Sequence, residues 1–212
     1  MHRGARTLLH NGLRNELATL CSEALWQPAR EVRPFRLQPT ARMDLTLRGY
    51  SRTLTCVDVA LTSPLQCRSV ALAARTPGGA STSYESVKVN RYGTACADMG
   101  YVLVPFVGDM LGAWGASAQE LLSRLVRAWG LRMQLPAFRA SAVVHTRLSL
   151  AVQRGVAAVL LQAASPLLPQ ALNSPASNGE EMEEPTAEVG EAAGAGVWAM
   201  AQASPPAVTL AR

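Results

Sequence analysis

Asp44 and Asp58 are the residues whose type and spacing best suit chemistry. Each lies in a short run with strand character, Arg42-Met43-Asp44-Leu45-Thr46-Leu47 and Cys56-Val57-Asp58-Val59-Ala60-Leu61, and thirteen residues separate them. Lys88, the single lysine of the chain, follows thirty positions after Asp58. Two carboxylates on adjacent strands with an ammonium beside them can hold a divalent metal at a scissile phosphate, where the metal polarises the phosphoryl oxygen and activates a water. Mg²⁺, or Mn²⁺ in its place, suits such a pair because it prefers oxygen ligands and keeps water and phosphate in its shell. Asp44 and Asp58 are the expected metal ligands. Lys88 would stabilise developing charge or orient the nucleophilic water. Glu16, on an expected first helix, would add a ligand or position a water. Tyr92 lies one helical turn beyond Lys88 and shares its face, where it would contact phosphate or hold the lysine. The bland alternative also stands: an Asp in Val57-Asp58-Val59 can face solvent on an alternating strand, and a lone lysine can be a solvated surface group. Asp is, however, disfavoured within strands, and each of these is flanked by apolar residues.

These residues need a sheet and a helix to bring them together, and the surrounding pattern supplies both. Residues 4–27 read as an amphipathic helix, with Leu8, Leu9, Leu13, Leu17, Leu20 and Leu25 near helical spacing and Pro28 as its stop. Strands are expected at about 41–48 and 53–61, joined by Gly49-Tyr50-Ser51-Arg52 as a hairpin or short antiparallel pair. The stretch 64–80 carries no clear element and contains the break Pro77-Gly78-Gly79. Residues 81–99 read as a helix bearing Glu85, Lys88, Arg91 and Tyr92, with Gly93 as a point of interruption and Gly100 as its cap. The apolar run 101–107 suits a buried central strand. Helices follow at 117–130, closed by Gly130, and at 138–163, with Leu148, Val152, Val156, Val159 and Leu160 as the buried face. The expected class is α/β, a small mixed sheet flanked by helices.

Charge divides the 212-residue chain in two. Residues 1–163 hold nineteen of the twenty basic residues against nine of the fifteen acidic ones, a net +10. Residues 164–212 hold six glutamates and one arginine, a net −5, in a Pro-, Ala-, Gly- and Ser-rich setting that lacks the apolar content to fold alone. The expected organisation is a basic domain over 1–163 and a disordered acidic tail over 164–212. A basic body implies a polyanionic partner, which the tail would screen. Compositional drift is the competing explanation, since all basic residues but Lys88 are arginine. The four cysteines, Cys21, Cys56, Cys67 and Cys96, form no CxxC pair, so free thiols are expected and a structural zinc site is not. No apolar run reaches the roughly 18 residues of a membrane span, and no signal-type stretch follows the basic start. The expectation is a soluble intracellular protein.

Several segments together resemble the restriction-enzyme-like endonuclease domain that follows the reverse transcriptase of site-specific non-LTR retrotransposons. Arg42-Met43-Asp44 is similar to that family's Lys/Arg-Pro-Asp motif, with Met43 in place of proline, and the spacer to Asp58 is of the family's length. In the wider PD-(D/E)xK nuclease class the lysine follows two residues after the second acid. Here that position is Ala60, and the retrotransposon-type variant moves the lysine to the next helix, where Lys88 stands. His10-Asn11-Gly12-Leu13-Arg14, Asp58-Val59-Ala60-Leu61-Thr62-Ser63-Pro64-Leu65, Glu85-x-x-Lys88-x-x-Arg91-Tyr92, Val104-Pro105-Phe106 and Leu148-Ser149-Leu150-Ala151-Val152-Gln153-Arg154-Gly155 resemble further family segments in the same order. The resemblance spans about residues 3–162. It implies a restriction-endonuclease-like fold, a Mg²⁺- or Mn²⁺-dependent hydrolase that nicks DNA and leaves a 3′ hydroxyl, and a nuclear location. DNA is the implied partner, with RNA as the alternative. A non-catalytic nucleic-acid-binding relic of the same domain is the second expectation, and a genomic relic without a role is the third.

Overall fold

The computed structural model describes residues 3–33 and 42–164. The tail expected to be disordered lies outside the described residues. The elements run α1 (Arg3–Glu23), β1 (Gln27–Val32), β2 (Met43–Arg48), β3 (Thr55–Thr62), α2 (Cys67–Arg75), α3 (Gly79–Asp98), β4 (Val102–Asp109), α4 (Ala116–Met133) and α5 (Ala137–Ala164). The strands form one sheet in the order β1-β2-β3-β4, antiparallel at the first two interfaces and parallel between β3 and β4. The protein is therefore α/β, a mixed four-stranded sheet flanked by helices. Among the described residues, no helix is long and apolar enough to cross a membrane.

Strand alternation sends Cys56 and its neighbour Val57 to opposite faces of β3, and two separate cores pack on the sheet. Val57 and Val59 of β3 and Leu45 and Leu47 of β2 join the larger core with Leu13, Leu17 and Leu20 of α1, Leu121, Leu122 and Leu125 of α4, and Val144, Leu148 and Val152 of α5. Cys56 joins a smaller core with Met43, Tyr92 and Cys96, which seats α3. Seven of the eight β3 residues are buried, as the central strand of a sheet covered on both faces requires. α2 packs on α3, and the two together form the crossover that a parallel β3–β4 pair demands.

Several boundaries differ from expectation. α1 stops at Glu23, before Pro28, because Leu25 takes a left-handed turn at φ 61°. The Trp26 amide then donates to the Cys21 carbonyl at 2.9 Å, which closes the helix. Leu8 and Leu25 point outward, 64% and 67% exposed. Pro28 instead lies in β1 opposite Leu47, and β1 is an edge strand, where a missing N–H is tolerated. Gly93 does not interrupt α3, which runs unbroken to Asp98, and Gly100 follows it at φ 67° as expected. Gly130 does not close α4, which continues to Met133 and ends at left-handed Gln134. It is a packing glycine, since a Cβ there would come within 2.9 Å of the Ala140 Cβ. On α5 the buried residues are Ala140, Val144, Leu148, Val152 and Gly155, while Leu160 is 64% exposed.

α1 and α5 meet at Gly155, where a Cβ would lie 2.3 Å from Leu9 Cδ1 and 2.7 Å from Leu9 Cα. The second contact is to backbone, so a side-chain rotation alone cannot relieve it. Gly155→Ala is expected to cost about 1–3 kcal/mol by overpacking. Urea unfolding should show a lower midpoint with an unchanged slope.

Candidate functional site

The hairpin geometry makes the thirteen-residue spacing meaningful. β2 and β3 pair with Leu45 opposite Val57, Thr46 opposite Cys56 and Leu47 opposite Thr55. The paired register ends at Leu45–Val57, so Asp44 and Asp58 are the next residues at the same end of the two strands. At this end of the ladder the Asp44 side chain takes over from the backbone. The Val59 amide donates to Asp44 Oδ2 at 2.8 Å.

α3 brings Lys88 onto the same spot. Lys88 Nζ lies 2.7 Å from Asp58 Oδ2, with the two side chains 15% and 7% exposed. Asp58 Oδ2 is buried, and the Lys88 ammonium is its partner. Burial raises the Asp58 carboxyl above the usual range, Lys88 works against that rise, and the nearby Asp44 charge adds to it. For Lys88, burial pulls the ammonium down, but Asp58 more than offsets this and the net shift is upward. Both directions follow from a carboxylate and an ammonium that share one poorly solvated place.

A cleft of about 410 Å³ opens over this pair, lined by His10, Asp44, Asp58, Tyr84 and Lys88, with Ser63, Gln66 and Met110 among its other walls. His10 Nε2 sits 3.0 Å from Asp44 Oδ1. The cleft thus gathers two carboxylates, one ammonium and one imidazole. Among the described residues, no three His, Cys, Asp or Glu side chains form a metal-binding group. The carboxylates available to a cation in the cleft are Asp44 and Asp58. That fits Mg²⁺ or Mn²⁺, which complete their shell with water and phosphate, better than zinc, which takes three or four protein ligands.

Three of the five expected site residues converge here, Asp44, Asp58 and Lys88. Glu16 does not. Its Oε1 accepts from Arg147 Nε at 2.6 Å, and Arg147 Nη1 also reaches Glu23 Oε2 at 2.7 Å. Trp129 Nε1 donates to that same Glu23 oxygen at 2.7 Å, so this network ties α1 to α4 and α5. The Arg147 bond holds the Glu23 carboxyl below its usual range, against the opposing effect of burial. Tyr92 is on the Lys88 side of α3 but packs into the smaller core at 8% exposure rather than lining the cleft. Tyr84, one turn on the other side of Lys88, takes the place expected of it. Its ring centroid is 5.5 Å from Lys88 Nζ. Helical spacing could have named Tyr84 as readily as Tyr92. His10 carried no comparable signal, because it meets Asp44 across 34 positions of sequence.

The entry to β2 is clamped. Arg14 is buried and ion-paired to Glu31 of β1, whose other oxygen accepts from Arg42 Nη1 at 3.2 Å. Arg14 and then Arg42 hold the Glu31 carboxyl below the usual range. Met43, where the resembled family carries proline, is fully buried in the smaller core. All four cysteines are free, and burial pushes the Cys21 thiol up to about 12. No protein-family model matches the chain, and no curated protein matches it either.

Proposed function

We propose that this protein is a metal-dependent DNA endonuclease domain of the restriction-endonuclease-like kind, acting on a nuclear DNA substrate by nicking. The observation that carries the reading is the meeting of Asp44, Asp58 and Lys88 in one cleft, with Asp58 buried against the lysine. Asp44 and Asp58 would hold Mg²⁺ or Mn²⁺, which when bound supplies Lewis-acid polarisation of the phosphoryl oxygen and an acidified water. Lys88 stays protonated and presents its charge to the phosphate. Tyr84 keeps the ammonium directed into the cleft through its ring face. His10 orients the Asp44 carboxylate from one side while the Val59 amide does so from the other.

A non-catalytic nucleic-acid-binding domain is the second reading, favoured by one observation. Each carboxylate already has a basic neighbour, Asp44 with His10 and Asp58 with Lys88, and no third acid joins them among the described residues. Nicking of supercoiled plasmid by the purified chain with Mg²⁺ or Mn²⁺ separates the two. The nuclease reading expects metal-dependent nicking that Asp44→Ala abolishes while circular dichroism still reports a folded protein. Absence of nicking by folded wild-type protein under both metals, with DNA binding that survives EDTA, would leave the binding reading.

A further inference from the structure

We propose that the cleft at the β2–β3 turn is a phosphate-binding site that grips a nucleic-acid backbone at a point separate from the carboxylates. It rests on the nucleic-acid part of the function proposed above and not on cleavage.

This cleft, of about 300 Å³, is lined by Arg48, Ser51, Arg52, Thr53 and Tyr101 among others. Arg48 is the last residue of β2, and Arg52 lies in the turn that follows. Both are exposed, and no Asp or Glu lines the cleft with them. Arg14, Arg42, Arg124 and Arg147 have carboxylate partners, whereas most other described arginines do not. Among the described residues, neither Arg48 nor Arg52 has one within 4.0 Å. Two guanidiniums in one concavity repel each other unless an anion lies between them. A phosphate suits them because each planar fork can bind its oxygens in a bidentate way.

The turn is held in shape before any ligand arrives. Ser51 Oγ donates to the Thr53 carbonyl at 2.7 Å and lies 2.9 Å from Thr55 Oγ1. Tyr101 packs against the smaller core, which fixes the opposite wall. The lining is mostly polar, with Leu54 and Tyr101 as its only large apolar members, so it offers little to a hydrophobic partner. Such contacts position a backbone and carry no sequence information.

The site is distinct from the metal cleft. Arg48 is four residues beyond Asp44 on the same strand, about 13 Å at the rise of an extended chain. The two clefts share no lining residue.

Binding of a short fluorescent DNA duplex, read by anisotropy in EDTA over a range of salt, tests the site without invoking catalysis. Arg48→Ala/Arg52→Ala is compared with Arg132→Ala/Arg139→Ala, which removes the same charge from α4 and α5. The cleft variant is expected to lose affinity about tenfold, and its log–log salt slope should fall by about 2, the value for two phosphate contacts. The control is expected to stay within about twofold of wild type. An unchanged slope in the cleft variant overturns the proposal, and so does an equal loss in the control. Competition by poly-glutamate as effective as that by DNA of equal charge overturns phosphate recognition in favour of a carboxylate-rich protein partner. If the expected slope change appears while nicking is absent under every metal, the phosphate site stands and the nuclease reading alone fails.

Discussion

Asp58→Ala is expected to destabilise the fold by about 3–5 kcal/mol in addition to removing nicking, because it strands a buried charge. Asp58 is 5% exposed and lies 2.7 Å from Lys88 Nζ. Without the carboxylate, the burial that pulls the Lys88 ammonium down acts unopposed by its largest compensating partner. The sign of the pH dependence follows. In wild type, Lys88 is raised above its unfolded value, so its contribution is fully present at neutral pH and is lost only as pH climbs through that raised value. In Asp58→Ala the folded value drops below the unfolded one. The unfolded chain then binds more protons, and stability rises with pH. The penalty should be smaller at about pH 9 than at about pH 7, because it diminishes as pH rises toward the unfolded lysine's value of about 10.4. Asp58→Ala/Lys88→Met removes the stranded charge and is expected to regain most of the lost stability without regaining nicking. Urea unfolding at both pH values, with plasmid nicking alongside, reads all three results. A double variant as unstable as the single would show that the pair is not what holds α3 to β3. A double variant that still nicks would remove both residues from the proposed chemistry.

The separation of Asp44 and Asp58 was legible because hairpin pairing is local. Residues equidistant from a turn lie at the same end of the strand pair, so thirteen intervening residues around Gly49-Tyr50-Ser51-Arg52 bring the two aspartates together once both strands are recognised. Lys88 was legible for a different reason: its helix follows the second strand and the chain has no other lysine. What escaped was long-range. Nothing in a single sequence links His10 to Asp44 or Glu16 to Arg147, which lie 34 and 131 positions apart. The choice between Tyr84 and Tyr92 was equally hidden. Both lie one turn from Lys88, and only the packing of α3 against Met43 and Cys56 decides which one is buried and which one meets the cleft.

Among the elements, β1 was the costliest omission because it carries Glu31, the partner of both Arg14 and Arg42. Gln-Pro-Ala-Arg-Glu-Val has no alternation of apolar residues to mark a strand. Four of its six residues are exposed, so its pairing with β2 comes from backbone hydrogen bonds and the ion pairs rather than from a buried face. Pro28 therefore looked like a helix stop when the helix had already ended at left-handed Leu25. α2 was missed for a related reason, since it lies on the outside of α3 with Val70 and Leu72 at 45% and 40% exposure. Gly130 was misjudged because a small residue that ends a helix and one that lets another helix approach are the same letter in the sequence.

Glu85 is the buried acid that the sequence placed beside Lys88 without a task, and its loss is expected to cost about 3–4 kcal/mol. It is 4% exposed, and its two oxygens accept from the Ser117 and Ala118 amides, each at 3.0 Å. Those amides belong to the first turn of α4, whose N-cap is Gly115 and so has no side-chain acceptor of its own. α3 thus caps α4 from outside, and the positive end of the α4 dipole offsets the buried carboxylate charge. This fixes α3 one turn from Lys88 and sets how deeply the lysine reaches. The same contact dictates Gly115, where a Cβ would fall 2.3 Å from Glu85 Oε1. Glu85→Ala leaves the half-buried Ser117 amide and the buried Ala118 amide without this acceptor, and a fall in melting temperature of about 10 °C is expected for a domain of this size. Glu85→Gln retains one acceptor and should lose about half as much. Gly115→Ser gives the decisive comparison, because Gly115 has extended backbone, φ −69° and ψ 166°, which a capping serine adopts readily. In the wild-type background the serine Cβ clashes with Glu85 and should destabilise. In the Glu85→Ala background it enters vacated space, offers its hydroxyl to the orphaned amides and should stabilise. Thermal unfolding of the four proteins reads that reversal of sign, and equal destabilisation by Gly115→Ser in both backgrounds would show that Glu85 is not the cap of α4.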